Sequence, residues 1–285
     1  MRTEGRTRSR KDLVLSAVGG LALALIIILF PTKVAQAHCA AGDSDGDGFI
    51  NETECHDITF AGTQPAAGTF PTCVGRTFTA TFTRNDCVDP NSKDLFVILV
   101  KATPSSNFDL LTDLRNNILL LFDFISKPIS QGGLGYTIHL ITADKVDSSN
   151  RVCLSECPHA VKVIESLDLN GTTTGYADQP TDSVFVYTGR IRKTIVDAWA
   201  SVLVAEANIP ASDFLTYYRE TTAQEIAHHL GLRATCTITY GCHTAPGKGF
   251  VVDYQVTFTA RSGSVTWKFG TVFEAADQGA ASFVQ

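Results

Sequence analysis

Residues 94–101 read DLFVILVK, and six consecutive positions of this stretch are apolar. A strand with one face in water alternates apolar and polar residues, whereas a strand buried on both faces is apolar throughout. Asp94–Lys101 therefore predicts a β-strand that is covered on both faces of its sheet. Such a sheet is typical of a layered α/β domain.

The stretches downstream of this strand alternate between helix and strand patterns. Phe108–Ser126 carries leucines and phenylalanines at the spacing of one helical face. A later helix pattern stops at Gly231, as expected of a glycine just beyond a helix. We expect an α/β (α+β) domain with a mixed sheet and helices. The other predicted elements are strands Gly135–Thr142, Ser183–Tyr187, Val251–Thr259 and Ser264–Phe269, and helices Arg190–Ala207 and Ser212–Leu230.

The stretch upstream of residue 89 has a different character. Residues 38–88 are rich in turns and contain cysteines, and the alternation in Thr77–Thr83 predicts one strand with an exposed face. The pattern changes at Asp89-Pro90-Asn91. We therefore predict a small disulfide-rich segment over residues 38–88 and a main domain over residues 89–285.

The first 37 residues have the layout of an export signal. A basic start precedes the apolar run Leu13–Phe30, and Ala35-Gln36-Ala37 supplies the small residues of a signal-peptidase site. We predict a signal peptide over residues 1–37 and a secreted, extracytoplasmic protein. Because an apolar run of this length just spans a bilayer core, membrane anchoring by residues 13–30 is the alternative.

The charge balance excludes some partners. The chain has 23 Lys and Arg and 29 Asp and Glu residues, and residues 1–37 contain six of the basic and two of the acidic ones. The remainder carries a net charge of −10, which argues against nucleic acid and anionic membranes and suits bound cations. We expect membrane contact only where the export signal is retained.

All eight cysteines follow the export signal, which favours disulfides formed in an oxidising compartment. Near-neighbour pairing is the simplest of the many pairings that eight cysteines allow. A zinc-thiolate site is the alternative. The near-neighbour pairs are Cys39/Cys55, Cys73/Cys87, Cys153/Cys157 and Cys236/Cys242, and the last two pairs contain the four thiols of the alternative.

Residues 43–54 read DSDGDGFINETE and match the calcium-loop pattern D-x-[DN]-x-[DN]-G-x5-E at every position. Calcium takes six to eight oxygen ligands, and this spacing wraps them around one ion, with Gly48 at the sharp turn. A single loop between Cys39 and Cys55 favours a structural calcium site over a sensor. The predicted calcium ligands are the side chains of Asp43, Asp45, Asp47, Asn51 and Glu54 and the carbonyl of Phe49.

Residues 221–232, TTAQEIAHHLGL, resemble the zincin helix H-E-x-x-H-x-L-G-L. In that motif two histidines on one helical face bind zinc, and the glutamate activates the zinc-bound water. Glu225 matches the general base, His228 the second ligand and Gly231 the turn glycine. Gln224 stands in place of the first ligand and Ala234 in place of the third.

Two other stretches support this resemblance. Asp89–Val97, DPNSKDLFV, is similar to the first-strand entry of secreted bacterial and archaeal zinc proteases that also carry D-x-D-G-D-G loops upstream. Gly241–Asp253 resembles the segment that leads to the Met-turn of this metzincin-like family. Val252 stands where the methionine would be, and the only methionine of the chain is Met1.

The resemblance implies a zincin/metzincin-like fold, with Gln224, His228 and His243 as the possible zinc ligands. A catalytic zinc needs three protein ligands and an open position, and a neutral amide binds zinc more weakly than imidazole. We therefore expect calcium but little zinc, and a vestigial Glu225 in an inactive homologue that binds a peptide or protein. The alternatives are an active metallopeptidase with an atypical ligand set and an unrelated calcium-stabilised surface module.

Overall fold

The structure is a computed structural model, which describes residues 39, 41–62, 67–100, 122–154, 157–167, 173–232, 256–270 and 272–273. Within these ranges, no helix has the length and apolar character needed to cross a membrane. Several predictions lie outside the described residues. These are the signal peptide 1–37, most of the helix 108–126, the pair Cys236/Cys242, the segment 241–253 and the candidate ligand His243.

The main domain contains a five-stranded sheet with helices, as the sequence predicts. Strand β3 matches the predicted strand up to Val100, the last described residue of that stretch. The elements in chain order are α1 (Asn51–Glu54), β1 (Ile58–Thr59), β2 (Thr69–Phe70), β3 (Asp94–Val100), α2 (Asp123–Ser126), β4 (Thr137–Ile141), β5 (Val161–Ser166), β6 (Gly175–Asp178), β7 (Ser183–Tyr187), α3 (Thr188–Ala200), α4 (Ala211–His229), β8 (Thr257–Arg261) and β9 (Ser264–Lys268).

The strand order of the main sheet is β4-β3-β5-β7-β6. Strands β4, β3, β5 and β7 run parallel to one another, and the edge strand β6 is antiparallel to β7. Strands β1 and β2 form a separate antiparallel pair, as do β8 and β9. The parallel strands explain the apolar sequence of β3, because sheets of this type are covered on both faces.

Two apolar layers cover the two faces of β3. On one face, Val97 belongs to a core that also contains residues of helices α3 and α4, such as Ile195 and Ile226. On the other face, Phe96 and Ile98 pack in a second core with side chains from residues 49–88 and from the stretch between Val146 and Ala160. The segment with the predicted calcium loop is therefore part of the second layer that buries the first strand of the sheet.

The near-neighbour disulfides are present wherever both partners are described. Cys39–Cys55, Cys73–Cys87 and Cys153–Cys157 have Cα–Cα distances of 5.8, 5.0 and 5.6 Å, within the usual range for disulfides. Because Cys153 and Cys157 bond to each other, they do not offer thiolates to zinc. The four-thiolate alternative is therefore wrong for this pair.

The predicted strand Thr77–Thr83 is wrong. These residues form irregular structure, in which the Thr79 hydroxyl accepts hydrogen bonds from the backbone of Thr81 and Phe82. Most of the stretch is exposed, so the alternating phenylalanines have no sheet or core to cover. Short-range bonds from threonine compete well with strand pairing under these conditions.

Other boundaries differ in smaller ways. The helix predicted to end at Ala207 ends at Ala200, because Leu203 adopts a left-handed φ of 64°.

Strands β5 and β6 were not predicted at all. In β5, Lys162 and Glu165 interrupt the apolar run, and only alternate residues are fully buried. Helix α4 and strand β7 agree closely with the prediction.

The β8–β9 hairpin is tied to the helices through one carboxylate. The indole Nε1 of Trp267 in β9 donates to Asp213 Oδ2 at 2.8 Å, and Nε1 of Trp199 in α3 donates to the same oxygen at 2.9 Å. Asp213 lies in the first turn of α4. One side chain therefore joins two helices and a hairpin.

Candidate metal centre

The predicted calcium loop is folded around the carboxylate of its first aspartate. Asp43 Oδ1 accepts hydrogen bonds from Gly46 N at 2.7 Å and from Asp47 N at 3.3 Å, and Oδ2 accepts from Gly48 N at 3.0 Å. Gly48 has a φ of 94°, a region in which glycine is favoured. The glycine at position 6 therefore provides the turn that the motif requires.

The middle of the loop is attached to the first strand of the main sheet. Asp47 Oδ1 accepts from Phe49 N at 2.8 Å, and Asp47 Oδ2 accepts from the backbone N–H of Asp94 at 2.5 Å. The Phe49 ring is fully buried and lies 5.7 Å from the Phe96 ring, measured between centroids. The loop is thus fixed to the start of β3 by a polar and an apolar contact.

The carboxylates form two groups that share Asp47. In the first group, ligand atoms of Asp43, Asp45 and Asp47 lie within 4.8 Å of one another. In the second, the same is true of Asp47, Glu54 and Asp94. The structure therefore brings together the four predicted acidic ligands, and adds Asp94, which the sequence analysis missed.

Four of the clustered oxygen atoms lack a hydrogen-bond partner. Both carboxylate oxygens of Asp45 and both of Glu54 are buried and make no hydrogen bond. Buried polar atoms normally have a partner, so these oxygens fit a site that holds a cation. Oxygen atoms from several carboxylates are the donor set that a hard divalent cation such as calcium prefers.

The pKa values of the clustered carboxyl groups are raised because these groups are buried close to one another. Burial, together with the charges of Asp47 and Asp45, raises the pKa of Glu54 to about 10. Burial and the neighbouring Asp43 raise the pKa of Asp45 to about 7. Burial also raises the pKa of Asp47 well above its ordinary value, and the charges of Asp45 and Asp94 add to this. In the absence of a cation, the cluster therefore holds protons that separate carboxyl groups would release.

The remaining two predicted ligands are in different situations. Asn51 Oδ1 accepts from Ser44 N at 3.0 Å, and Ser44 Oγ lies 3.2 Å from the same oxygen. Its amide oxygen is therefore used within the loop, and a role as a ligand stays a prediction. The same holds for the Phe49 carbonyl, although Phe49 lies at the expected place between Asp47 and the short helix α1.

Asp94 is also part of a buried polar chain behind the cluster. Its Oδ1 lies 2.8 Å from Nε2 of His139, and Nδ1 of His139 lies 2.9 Å from the carbonyl oxygen of Asn85. Because a carbonyl oxygen can only accept, Nδ1 carries a hydrogen. The contact with Asp94 then requires one more proton, on the imidazole or on the carboxyl. His139 therefore fixes the position of the Asp94 carboxyl group.

The zincin-like residues lie in α4, as the resemblance implies. Gln224 and His228 are half-buried and one helical turn apart, and Glu225 is buried. Burial raises the pKa of Glu225 to about 8. The backbone of Gly175 in β6 packs so closely on this side chain that a Cβ there would lie 2.6 Å from Glu225 Cγ. Whether His243 joins Gln224 and His228 stays a prediction.

A histidine that the motif does not use lies next to His228. His229 is buried, and its Nε2 is 3.7 Å from Asp182 Oδ1, while Asp182 Oδ2 lies 2.7 Å from Nδ1 of the more exposed His159. Asp182 adopts a left-handed φ of 51° between β6 and β7. No spacing in the sequence signals this group, because its three members come from separate elements.

No protein-family description, curated protein or solved structure matches this chain. The likeness to zinc metallopeptidases therefore rests on the motifs alone. The acidic cluster at Asp47, in contrast, is supported by the distances between its carboxylates and does not depend on that likeness.

Proposed function

We propose that this protein is an exported calcium-binding protein whose main domain is related to zinc metallopeptidases but serves binding or structure rather than catalysis. One observation carries the calcium part of the proposal: the four buried carboxylate oxygens of Asp45 and Glu54 have no hydrogen-bond partner. These oxygens lie in a loop whose sequence matches a calcium loop at every position. A bound calcium ion would explain both the unpartnered oxygens and the loop sequence.

The donor set favours calcium over other metals. Zinc prefers cysteine and histidine ligands, and magnesium keeps much of its water shell and takes few protein ligands. Calcium accepts six to eight oxygens, including both oxygens of a glutamate at loop position 12, here Glu54. The Cys39–Cys55 disulfide closes the loop chemically, which suits a permanent structural ion better than a switch.

The first prediction tests calcium binding by titration calorimetry on the mature chain, residues 38–285. We expect the wild-type protein to bind calcium and Glu54→Gln to bind it about tenfold or more weakly, because one ligand charge is lost. Glu52→Gln is the matched control, since Glu52 is an exposed acid of the same short helix. Absence of calcium binding in the wild-type protein would refute the proposal.

Two features support an inactive homologue. A glutamine stands at the position of the first zinc ligand, and an amide is a poor ligand for zinc. Glu225, the counterpart of the general base, has a pKa raised to about 8 by burial, so in the absence of a metal most of it is protonated at neutral pH. Both features reduce the ability of α4 to activate water.

An active metallopeptidase is the second candidate, favoured by the half-buried face that Gln224 and His228 share on α4. This candidate predicts one zinc per chain, lost in His228→Ala, and peptide cleavage that is lost in Glu225→Gln. Metal analysis after zinc saturation separates the two candidates. Absence of zinc would exclude catalysis and leave the calcium proposal untouched. An unrelated calcium-stabilised module would be favoured if His243 does not converge with Gln224 and His228.

A further inference from the structure

The main sheet contributes an acid to the metal centre from outside the calcium loop. Asp94, the first residue of β3, is fully buried and lies 47 residues along the chain from Asp47. Its backbone N–H donates to Asp47 Oδ2, and one of its carboxylate oxygens lies within 4.8 Å of those of Asp47 and Glu54. No calcium-loop motif includes this position.

Glu54 points to a ligand between these three acids. It is fully buried, and neither of its carboxylate oxygens has a hydrogen-bond partner. A buried charge without a partner is strongly destabilising, whereas a cation among several carboxylates provides the partner. The missing partner of Glu54 therefore belongs on the side of the loop that faces Asp94.

We infer that Asp94 binds the same cation as the loop, so that calcium bridges the N-terminal segment 39–88 and the first strand of the sheet. This inference rests on the proposed calcium binding and extends it. Calcium binding and docking of residues 39–88 onto the sheet are then one event.

Asp94 has the bonding capacity that this role requires. Its Oδ1 contacts His139 Nε2, and its Oδ2 accepts from Asp89 N at 2.9 Å. Each carboxylate oxygen has two lone pairs, so a lone pair remains on each for a cation. One of these oxygens lies within 4.8 Å of ligand atoms of Asp47 and Glu54. Asp94 thus adds a carboxylate oxygen to those that the loop supplies.

The two parts of the protein that the cation would join, residues 39–88 and the main sheet, also contact each other directly. Ser44 Oγ in the loop donates to the carbonyl oxygen of Pro90 at 3.0 Å, just before β3. Farther from the cluster, the Phe70 ring lies 5.2 Å from the Phe96 ring and 4.9 Å from the His139 ring. Without a cation, the acids on both sides of this contact either repel each other as carboxylates or take up protons. Loss of calcium therefore loosens the layer, and not only the loop.

The second prediction compares Asp94→Asn with Glu54→Gln and Glu52→Gln by calcium titration of the full mature chain. We expect Asp94→Asn to weaken calcium binding about tenfold or more, as Glu54→Gln does, and Glu52→Gln to leave it unchanged. If Asp94→Asn binds calcium within about threefold of the wild-type affinity while Glu54→Gln does not, the bridge is wrong and the loop binds calcium alone. If the wild-type chain binds no calcium, the proposed function itself fails.

A measurement on the wild-type chain keeps the inference testable if Asp94→Asn does not fold. Hydrogen exchange is followed by mass spectrometry with calcium and with a chelator. A bridging ion protects β3 and β4 as well as residues 41–62, because it holds the covering layer against the sheet. Calcium-dependent protection confined to residues 41–62 would overturn the bridge.

Discussion

Glu225 shows how the environment of one residue separates two functional interpretations. A general base that works near neutral pH must be ionised there, unless a bound metal stabilises its charge. Glu225 is buried between α4 and the backbone of Gly175, and burial raises its pKa to about 8. Among the described residues, no hydrogen bond or positive charge contributes to this pKa. Its surroundings therefore favour the neutral acid, and this is the state expected of a side chain that only fills space.

The third prediction is that Glu225→Gln stabilises the calcium-loaded protein at pH 8 and has little effect near pH 4.5. Glutamate ionises near pH 4.5 in the unfolded chain but near pH 8 in the folded protein, so the folded state binds the extra proton. The free energy of unfolding therefore falls as pH rises through this window. Glutamine removes this loss, on the order of 4 kcal/mol at pH 8.

Thermal unfolding at the two pH values measures the effect of Glu225→Gln. A variant that melts below the wild-type protein at pH 8 would show that the ionised carboxylate has a partner after all. Such a partner would be a bound metal or a positive charge, and the result would favour the active metallopeptidase.

The carboxylates of the metal centre differ in how far the sequence could reveal them. Asp43, Asp45, Asp47 and Glu54 lie in one loop, and their spacing along the chain brings their carboxylates together. Asp94 is brought to the same place by folding over 47 residues, and no local pattern records that approach. The sequence alone therefore predicted the local part of the carboxylate cluster and missed the acid that the sheet brings to it.

At the scale of elements, the strand prediction succeeded where burial is uniform and failed where it is one-sided or absent. Strand β7 was predicted with its correct bounds. Strand β5 was missed because Lys162 and Glu165 give it the mixed composition of a loop. Thr77–Thr83 alternates like a strand but has no neighbour to pair with, because pairing depends on contacts distant in sequence.

The fourth prediction concerns the β8–β9 hairpin and its link to the helices. Asp213→Ala removes the acceptor shared by the indoles of Trp199 and Trp267, and we expect a loss of about 2 kcal/mol in the free energy of unfolding. Asp213→Asn keeps one oxygen acceptor and should lose less. These are the only two tryptophans of the chain, so their fluorescence reports directly on the contact.

Denaturant unfolding and the emission spectrum of the folded protein measure the two effects of Asp213→Ala. We expect a shifted tryptophan emission in the alanine variant and a smaller shift in the asparagine variant. Equal stability and an unchanged emission spectrum in Asp213→Ala would show that the hairpin is held by other contacts.

At the scale of the whole molecule, one sheet depends on two covering layers of different origin. Helices α3 and α4 cover one face of β3 through apolar contacts. The other face is covered partly by the stretch between Val146 and Ala160 and partly by residues 39–88, a segment with few regular elements that contains two disulfides and most of the acidic cluster. Short segments with little core of their own are commonly stabilised by disulfides or metals.

The fifth prediction is that calcium removal lowers the melting temperature more at pH 8 than at pH 5. In the metal-free protein the pKa of Asp45 is raised to about 7 and that of Glu54 to about 10. At pH 5 protons neutralise the cluster in place of calcium, whereas at pH 8 the stability of the metal-free form has fallen. Calcium at 100 times its Kd would add about 3 kcal/mol.

Calorimetric scans with calcium and with a chelator at the two pH values measure this difference. Glu54→Gln is the control, because its response to calcium should be small at both pH values. A chelator that leaves the melting temperature unchanged at pH 8 would show that the ion has no structural role.

The layer formed by residues 39–88 also bears on when this chain can finish folding. Disulfides form outside the reducing cytoplasm, and calcium loops of the kind found in extracellular modules bind calcium only where it is abundant. A chain that crosses a membrane before it meets these conditions would keep one face of β3 open until it arrives. The second core would then form only in an oxidising compartment that contains calcium. A fully folded chain would therefore be one that has already been exported.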